Sequence, residues 1–109
     1  MEQLSYRLQG GHRVATAAPR LVGVLASGNL EVLIEAQPDD DACVIDVATP
    51  AKGFADIWEA VVRAFFERHP VANVRISVND NGATPATVSL RLDQAIEEYR
   101  AAAPNAGAA

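Results

Sequence analysis

Along most of this chain apolar and polar residues alternate, and in one long stretch they do not. Leu4, Tyr6 and Leu8 alternate with polar neighbours, the period of a half-buried strand, and Gly10-Gly11 closes that run. His12 to Arg20 is mixed in character, alanine-rich and proline-bearing, and is expected as a loop. Leu21–Ala26 is a short apolar run that reads as a strand, and Leu30–Ala36 reads as the next. Between them Ser27-Gly28-Asn29 turns the chain, because glycine and asparagine tolerate the positive φ that tight turns demand. After the polar connection Gln37 to Asp41, the residues Cys43, Ile45 and Val47 share one face of a third strand. These three segments predict an antiparallel meander.

The period changes beyond Thr49-Pro50-Ala51-Lys52-Gly53. Phe54, Ile57, Trp58, Val61 and Phe65 recur at helical spacing and predict an amphipathic helix from Phe54 to His69. Glu59–Arg63 and Arg63–Glu67 form i, i+4 pairs on its polar side, and Pro70 stops it. Alternation then returns in Ala72, Val74, Ile76 and Val78, and again in Val88, Leu90 and Leu92, around the turn-rich Asp80 to Pro85. That pattern predicts a hairpin. Asp93 is a candidate N-cap for a short C-terminal helix over Gln94–Ala103. The expected architecture is an α+β, two-layer domain over residues 1–103. In it an antiparallel sheet packs against one long amphipathic helix, with a short C-terminal helix and a flexible tail at 104–109.

Composition narrows the function more than the fold. At 109 residues the chain can bury a real core without staples. A net charge of −5 argues against a nucleic-acid partner, which needs a basic footprint. No apolar run approaches the roughly 20 residues of a membrane span. The N-terminus also lacks a signal-peptide layout, so a cytoplasmic location without membrane contact is expected. With Cys43 as the sole cysteine, no internal disulfide and no cysteine-cluster metal site is available.

Candidate chemistry is sparse. His12 lies in a glycine-flanked loop, and His69 sits at a helix C-terminus, where the dipole favours it. Neither belongs to a catalytic motif, and no metal-ligand spacing accompanies them. Asp39-Asp40-Asp41 lacks the glycine and distal glutamate of a calcium loop and reads as a solvated turn. Cys43 and Trp58 fall on apolar faces and read as core. Gly10-Gly11 lacks the Gly-Lys-Ser/Thr ending of a phosphate loop. The expectation is a chain with no catalytic residue and no metal.

Ser27 remains. A hydrolase nucleophile needs a strand-to-helix bend and a histidine partner; here a strand is expected to follow, and no histidine lies in a suitable motif. The residues alone leave two readings. Serine is common in turns for its own hydrogen-bonding reasons. A serine on a firm bend beside a small neighbour such as Gly28 is also one that another enzyme can reach and modify.

Ala26-Ser27-Gly28-Asn29-Leu30-Glu31-Val32-Leu33 resembles the serine segment of the acyl carrier subunit of malonate decarboxylase, typically Gly/Ala-Ser-Gly-Asp-Leu-Glu-Val-Leu. A second segment, Asp80-Asn81-Gly82-Ala83-Thr84-Pro85 with Arg91-Leu92-Asp93-Gln94, is similar to that family's Asp-x-Gly-Ala-Thr-Pro turn and Arg-Leu-Glu-Gln strand. Leu4-Ser5-Tyr6 fits as well. Departures are Asn29 for aspartate, Asp93 for glutamate and an alanine-rich tail.

The resemblance implies a carrier, not an enzyme. Ser27 would hold a covalent 2′-(5″-phosphoribosyl)-3′-dephospho-coenzyme A installed by a prosthetic-group transferase. The thiol of that arm would carry acetyl and malonyl between the transferase and decarboxylase subunits. Gly28, Asn29, Asp80, Gly82 and Thr84 would support the turn or dock partners. The alternatives are a carrier of the citrate lyase type and a non-carrier interaction module that uses its exposed hairpin edge.

Overall fold

A computed structural model describes residues 1–103; the expected tail at 104–109 lies outside them. The strands are β1 (Glu2–Leu8), β2 (His12–Arg13), β3 (Arg20–Gly23), β4 (Asn29–Ala36), β5 (Cys43–Thr49), β6 (Val71–Ala72) and β7 (Val74–Asn81). The helices are α1 (Ala55–Arg68) and α2 (Pro85–Ala101). Alternation does set the strand faces. Leu30, Val32 and Ile34 of β4, Ile45 and Val47 of β5, and Val74, Ile76 and Val78 of β7 are all buried, with Cys43 among them. Burial pushes the Cys43 thiol up to about 12. In α1 the buried residues are Trp58, Val62 and Phe65, whereas Phe54 and Ile57 of the predicted stripe stay exposed.

Three expectations about the sheet and its flanks need correction. The main sheet is mixed, in the order β1-β5-β7-β4-β3. β4 and β5 are not neighbours, because β7 lies between them, antiparallel to β4 and parallel to β5. The parallel pair arises because α1 carries the chain from the end of β5 back to the start of β7, the connection that parallel strands require. Two residues of the expected 12–20 loop form β2, which pairs parallel with β6. The Leu21–Ala26 strand stops at Gly23.

The hairpin predicted around Asp80 to Pro85 does not form: its first strand is β7, but its expected second strand, Val88–Leu92, lies in the first half of α2. Val88, Leu92, Ala95, Ile96 and Tyr99 are its buried residues, spaced for a helix. Thr84 is the N-cap, its hydroxyl accepting from Thr87 N at 3.2 Å, and Pro85 follows at N1. Asp93 therefore lies inside α2, where its carboxylate accepts from Arg68 Nη2 at 2.9 Å and stands 3.2 Å from His69 Nε2. The C-terminal helix has 17 residues against 14 for α1, so it is not short. The helices pack on each other, α1 against β1 and α2 against β3 and β4. The buried Tyr99 hydroxyl accepts from Ala17 N at 3.1 Å and so fastens the 14–19 segment to α2.

Candidate functional site

Ser27 sits in a four-residue turn closed by a bond from Asn29 N to Ala26 O of 2.9 Å. Gly28 follows it with φ of +76°, the sign required at the third position of a type II turn and one that favours glycine. A Cβ added at Gly28 would meet nothing within 4 Å, so the space beside Ser27 is open. Ser27 itself is exposed. Asn29 begins β4, and its Oδ1 accepts from Leu30 N at 2.8 Å and lies 3.5 Å from Arg91 Nε of α2. Both contacts use a side-chain oxygen that aspartate would also offer, so the Asn29 departure leaves the turn's geometry available.

The second sequence motif lies directly against the first. Gly28 N donates to Asn81 O at 2.8 Å, and Asn29 bridges to Gly82. Gly82 has φ of +89°, and a Cβ there would approach Gly28 N to 3.9 Å. Two segments over fifty residues apart thus share one end of the sheet, because β4 and β7 pair in register from Asn29↔Asn81 to Ala36↔Val74.

Asp80 fastens this end from beneath. It is buried, on the same face of β7 as Val78. One carboxylate oxygen accepts from Thr49 Oγ1 at 2.8 Å and the other from Ala83 N at 2.9 Å. Thr49 in turn accepts from Ala51 N at 3.2 Å. Asp80 therefore links the turn after β7 to the exit of β5. Thr84 caps α2, so its evident role is local.

Sequence reasoning missed the apolar surroundings of this end. Val24 and Leu25 leave the sheet after Gly23 and are exposed. On the other side of Gly82, an apolar groove of about 280 Å³ opens between α1 and the start of α2. Phe54, Ile57 and Trp58 form one wall, and Ala83, Pro85 and Val88 the other. Gly23 as a strand end and Thr84-Pro85 as a helix start were the available signals for both.

His12 is an exposed β2 residue whose backbone N–H donates to Pro70 O at 2.7 Å. His69 caps α1, with its ring 5.4 Å from that of Phe65. Asp40 accepts two bonds of 2.6 Å from Arg7, and Asp41 one of 2.6 Å from Arg13. Among the described residues no group of three or more His, Cys, Asp or Glu side chains could hold a metal ion, and no helix is long and apolar enough to cross a membrane.

Comparison with known proteins places this geometry. The family model described as malonate decarboxylase delta subunit (MdcD) matches residues 17–99. The malonate decarboxylase acyl carrier protein of Stenotrophomonas maltophilia (strain K279a) is 54% identical over 107 residues, covering 95% of this chain and 99% of that one. The protein of the same name from Burkholderia cepacia is 56% identical over 98 residues, 90% of each chain. A chain in the crystal structure of a Pseudomonas malonate decarboxylase hetero-tetramer in complex with malonate aligns with a TM-score of 0.76 at 39% identity, over 91% of this chain and 99% of that chain. The chain belongs to the malonate decarboxylase delta-subunit family, the acyl carrier subunits of that decarboxylase.

Proposed function

We propose that Ser27 is the attachment point of the covalent phosphoribosyl-dephospho-coenzyme A arm and that this subunit performs no chemistry of its own. The observation that carries this reading is an exposed serine in a tight turn that leads into β4 and is bonded to the end of β7, with open space beside it. When bound, the group supplies a thioester, which stabilises the carbanion left by loss of carbon dioxide better than a carboxylate does. The chain's own part is mechanical. Gly28 leaves room for the installing enzyme and for the arm to swing. Asn81 O and Ala26 O hold the turn so that Ser27 projects from a fixed base. A fixed tether raises the effective concentration of the carried group at each site it can reach.

The partners in this reading are the transferase and decarboxylase subunits and the prosthetic-group transferase, all meeting the carrier in the cytoplasm. The exposed Val24 and Leu25, which lead into the Ser27 turn, offer these partners apolar side chains. Reassembly of the decarboxylase with Ser27→Ala tests the assignment. The variant should co-purify with the other subunits and support no malonate decarboxylation. A reassembled complex that decarboxylates malonate at the wild-type rate would rule the assignment out.

A further inference from the structure

Resting on that assignment, we propose that the apolar groove beside the Ser27 turn is a resting site for the acetyl thioester at the end of the arm, and that the same groove turns away the malonyl form. Gly82 provides the continuity, because it lines the groove and also abuts Gly28, the residue after Ser27. The groove's volume, about 280 Å³, lies just under the range of small-molecule sites, about 300–1,000 Å³. That suits a thioester and its adjoining methylenes rather than a whole nucleotide arm. Its rim also accounts for an oddity of α1. Phe54 is 47% exposed and Ile57 46%, although both belong to the apolar stripe that the sequence aims at the core.

The lining chemistry separates the two acyl states. An acetyl thioester ends in a methyl group and carries no charge, so apolar walls suit it. A malonyl thioester ends in a carboxylate, which needs a partner if it leaves water. Among the lining residues the charged one is Asp80, itself an acid, and both its oxygens are engaged by Thr49 and Ala83. The groove therefore offers a carboxylate no cation and an opposing like charge. The functional consequence is a guard on the resting state. Hydrolysis requires water to add at the thioester carbonyl carbon, with the carbon–sulfur bond breaking to give acetate and free thiol. A seated acetyl group presents less of that carbon to water, while a malonyl group stays outside, open to the decarboxylase.

The chain contains its own reporters. Trp58 is the single tryptophan and lines the groove. Cys43 is the single cysteine, buried, with its thiol pushed up to about 12, so thiol reagents at neutral pH read the arm alone. The subunit is taken from assembled complex, its arm verified by mass, and prepared in free-thiol, acetyl and malonyl forms. The acetyl form should shift the Trp58 indole N–H resonance, and the malonyl form should match the free thiol. Neutral hydroxylamine should release thiol from the acetyl form about threefold more slowly than from acetylated Ile57→Glu or Ala83→Phe protein, as for a group seated two-thirds of the time. Ile57 is exposed, so its variant keeps the test open if the groove-filling one does not fold. A verified arm with an unchanged Trp58 resonance and equal release rates overturns this proposal alone. So does a Trp58 shift that appears in Ser27→Ala protein on adding the other subunits, which would make the groove a protein-docking site. A mass without the arm overturns the assignment of Ser27 and this proposal together.

Discussion

The two ends of the β4–β7 pair are built on opposite principles. At the Ala36↔Val74 end side chains close on one another. Asn73 is buried with φ of +52°; its amide donates to Val14 O at 3.1 Å and accepts from Val14 N at 3.0 Å, while its carbonyl accepts from Gln37 N at 2.8 Å. Asparagine is among the few non-glycine residues that adopt such a φ. Arg7 and Arg13 then engage Asp40 and Asp41, and Arg13 also donates to Pro38 O at 2.9 Å. At the Asn29↔Asn81 end the turn is held by backbone bonds, and its outward side chains are left free: Ser27, Leu25, Phe54 and Ile57 are all exposed. One end closes side chains over its surface, and the other keeps its side-chain bonds beneath, on Asp80 and Thr49, and leaves its outward side chains exposed.

The sharpest break between the two ends comes from crossing them by mutation. Ser27→Ala should remove all carrier function while changing unfolding free energy by less than about 0.5 kcal/mol, since an exposed turn hydroxyl supports little. Asn73→Ala should do the reverse. It leaves Val14 N and O without partners and places alanine at positive φ, costing about 2–3 kcal/mol in urea unfolding, while arm attachment at a permissive temperature stays at the wild-type level. A large stability loss from the first variant, or lost modification in the folded second, would dissolve the distinction.

Smaller effects sharpen it. Thr84→Ala removes the α2 cap and should cost about 1 kcal/mol by thermal or urea unfolding. Unchanged modification and assembly would leave Thr84 a capping residue rather than a docking one. The smallest effect belongs to Arg7→Ala. Hydrogen bonds from the Arg7 guanidinium, with help from Ala42 N, hold the Asp40 carboxyl below its ordinary range. A lowered folded value means the contribution is full above the unfolded value, about 4, and fades as pH falls through the folded one. Urea midpoints of wild type and Arg7→Ala should therefore differ slightly at pH 7 and converge in acid, and converge as well in high salt.

What the sequence revealed and what it hid follow from the same local rules. Alternation in β1, β4, β5 and β7 was legible because one face of β4, β5 and β7 is buried and one face of β1 is partly so. The start of α2 was not, because Val88, Leu90 and Leu92 alternate over five residues, a window too short to separate the periods. Extended to Tyr99, the buried set has helical spacing, and Thr84-Pro85 is a cap followed by an N1 proline. Sheet order was hidden because the pairing of β7 with β4 and β5 is set by the crossover through α1, not by residues within the strands. The two motifs at the Ser27 end were visible as turns. Their contact, Gly28 N to Asn81 O, depends on a register that only the assembled sheet fixes. The groove was invisible because Phe54 and Ile57 look like core residues when the helix is read alone.

In the proposed carrier role, the hydroxyl of Ser27 holds a nucleotide thiol arm in the working decarboxylase. Intact-mass and peptide measurements on the subunit from an active native complex test it most directly. The added mass should equal the phosphoribosyl-dephospho-coenzyme A group and be confined to the peptide holding Ser27. A bare Ser27 in fully active complex would contradict it.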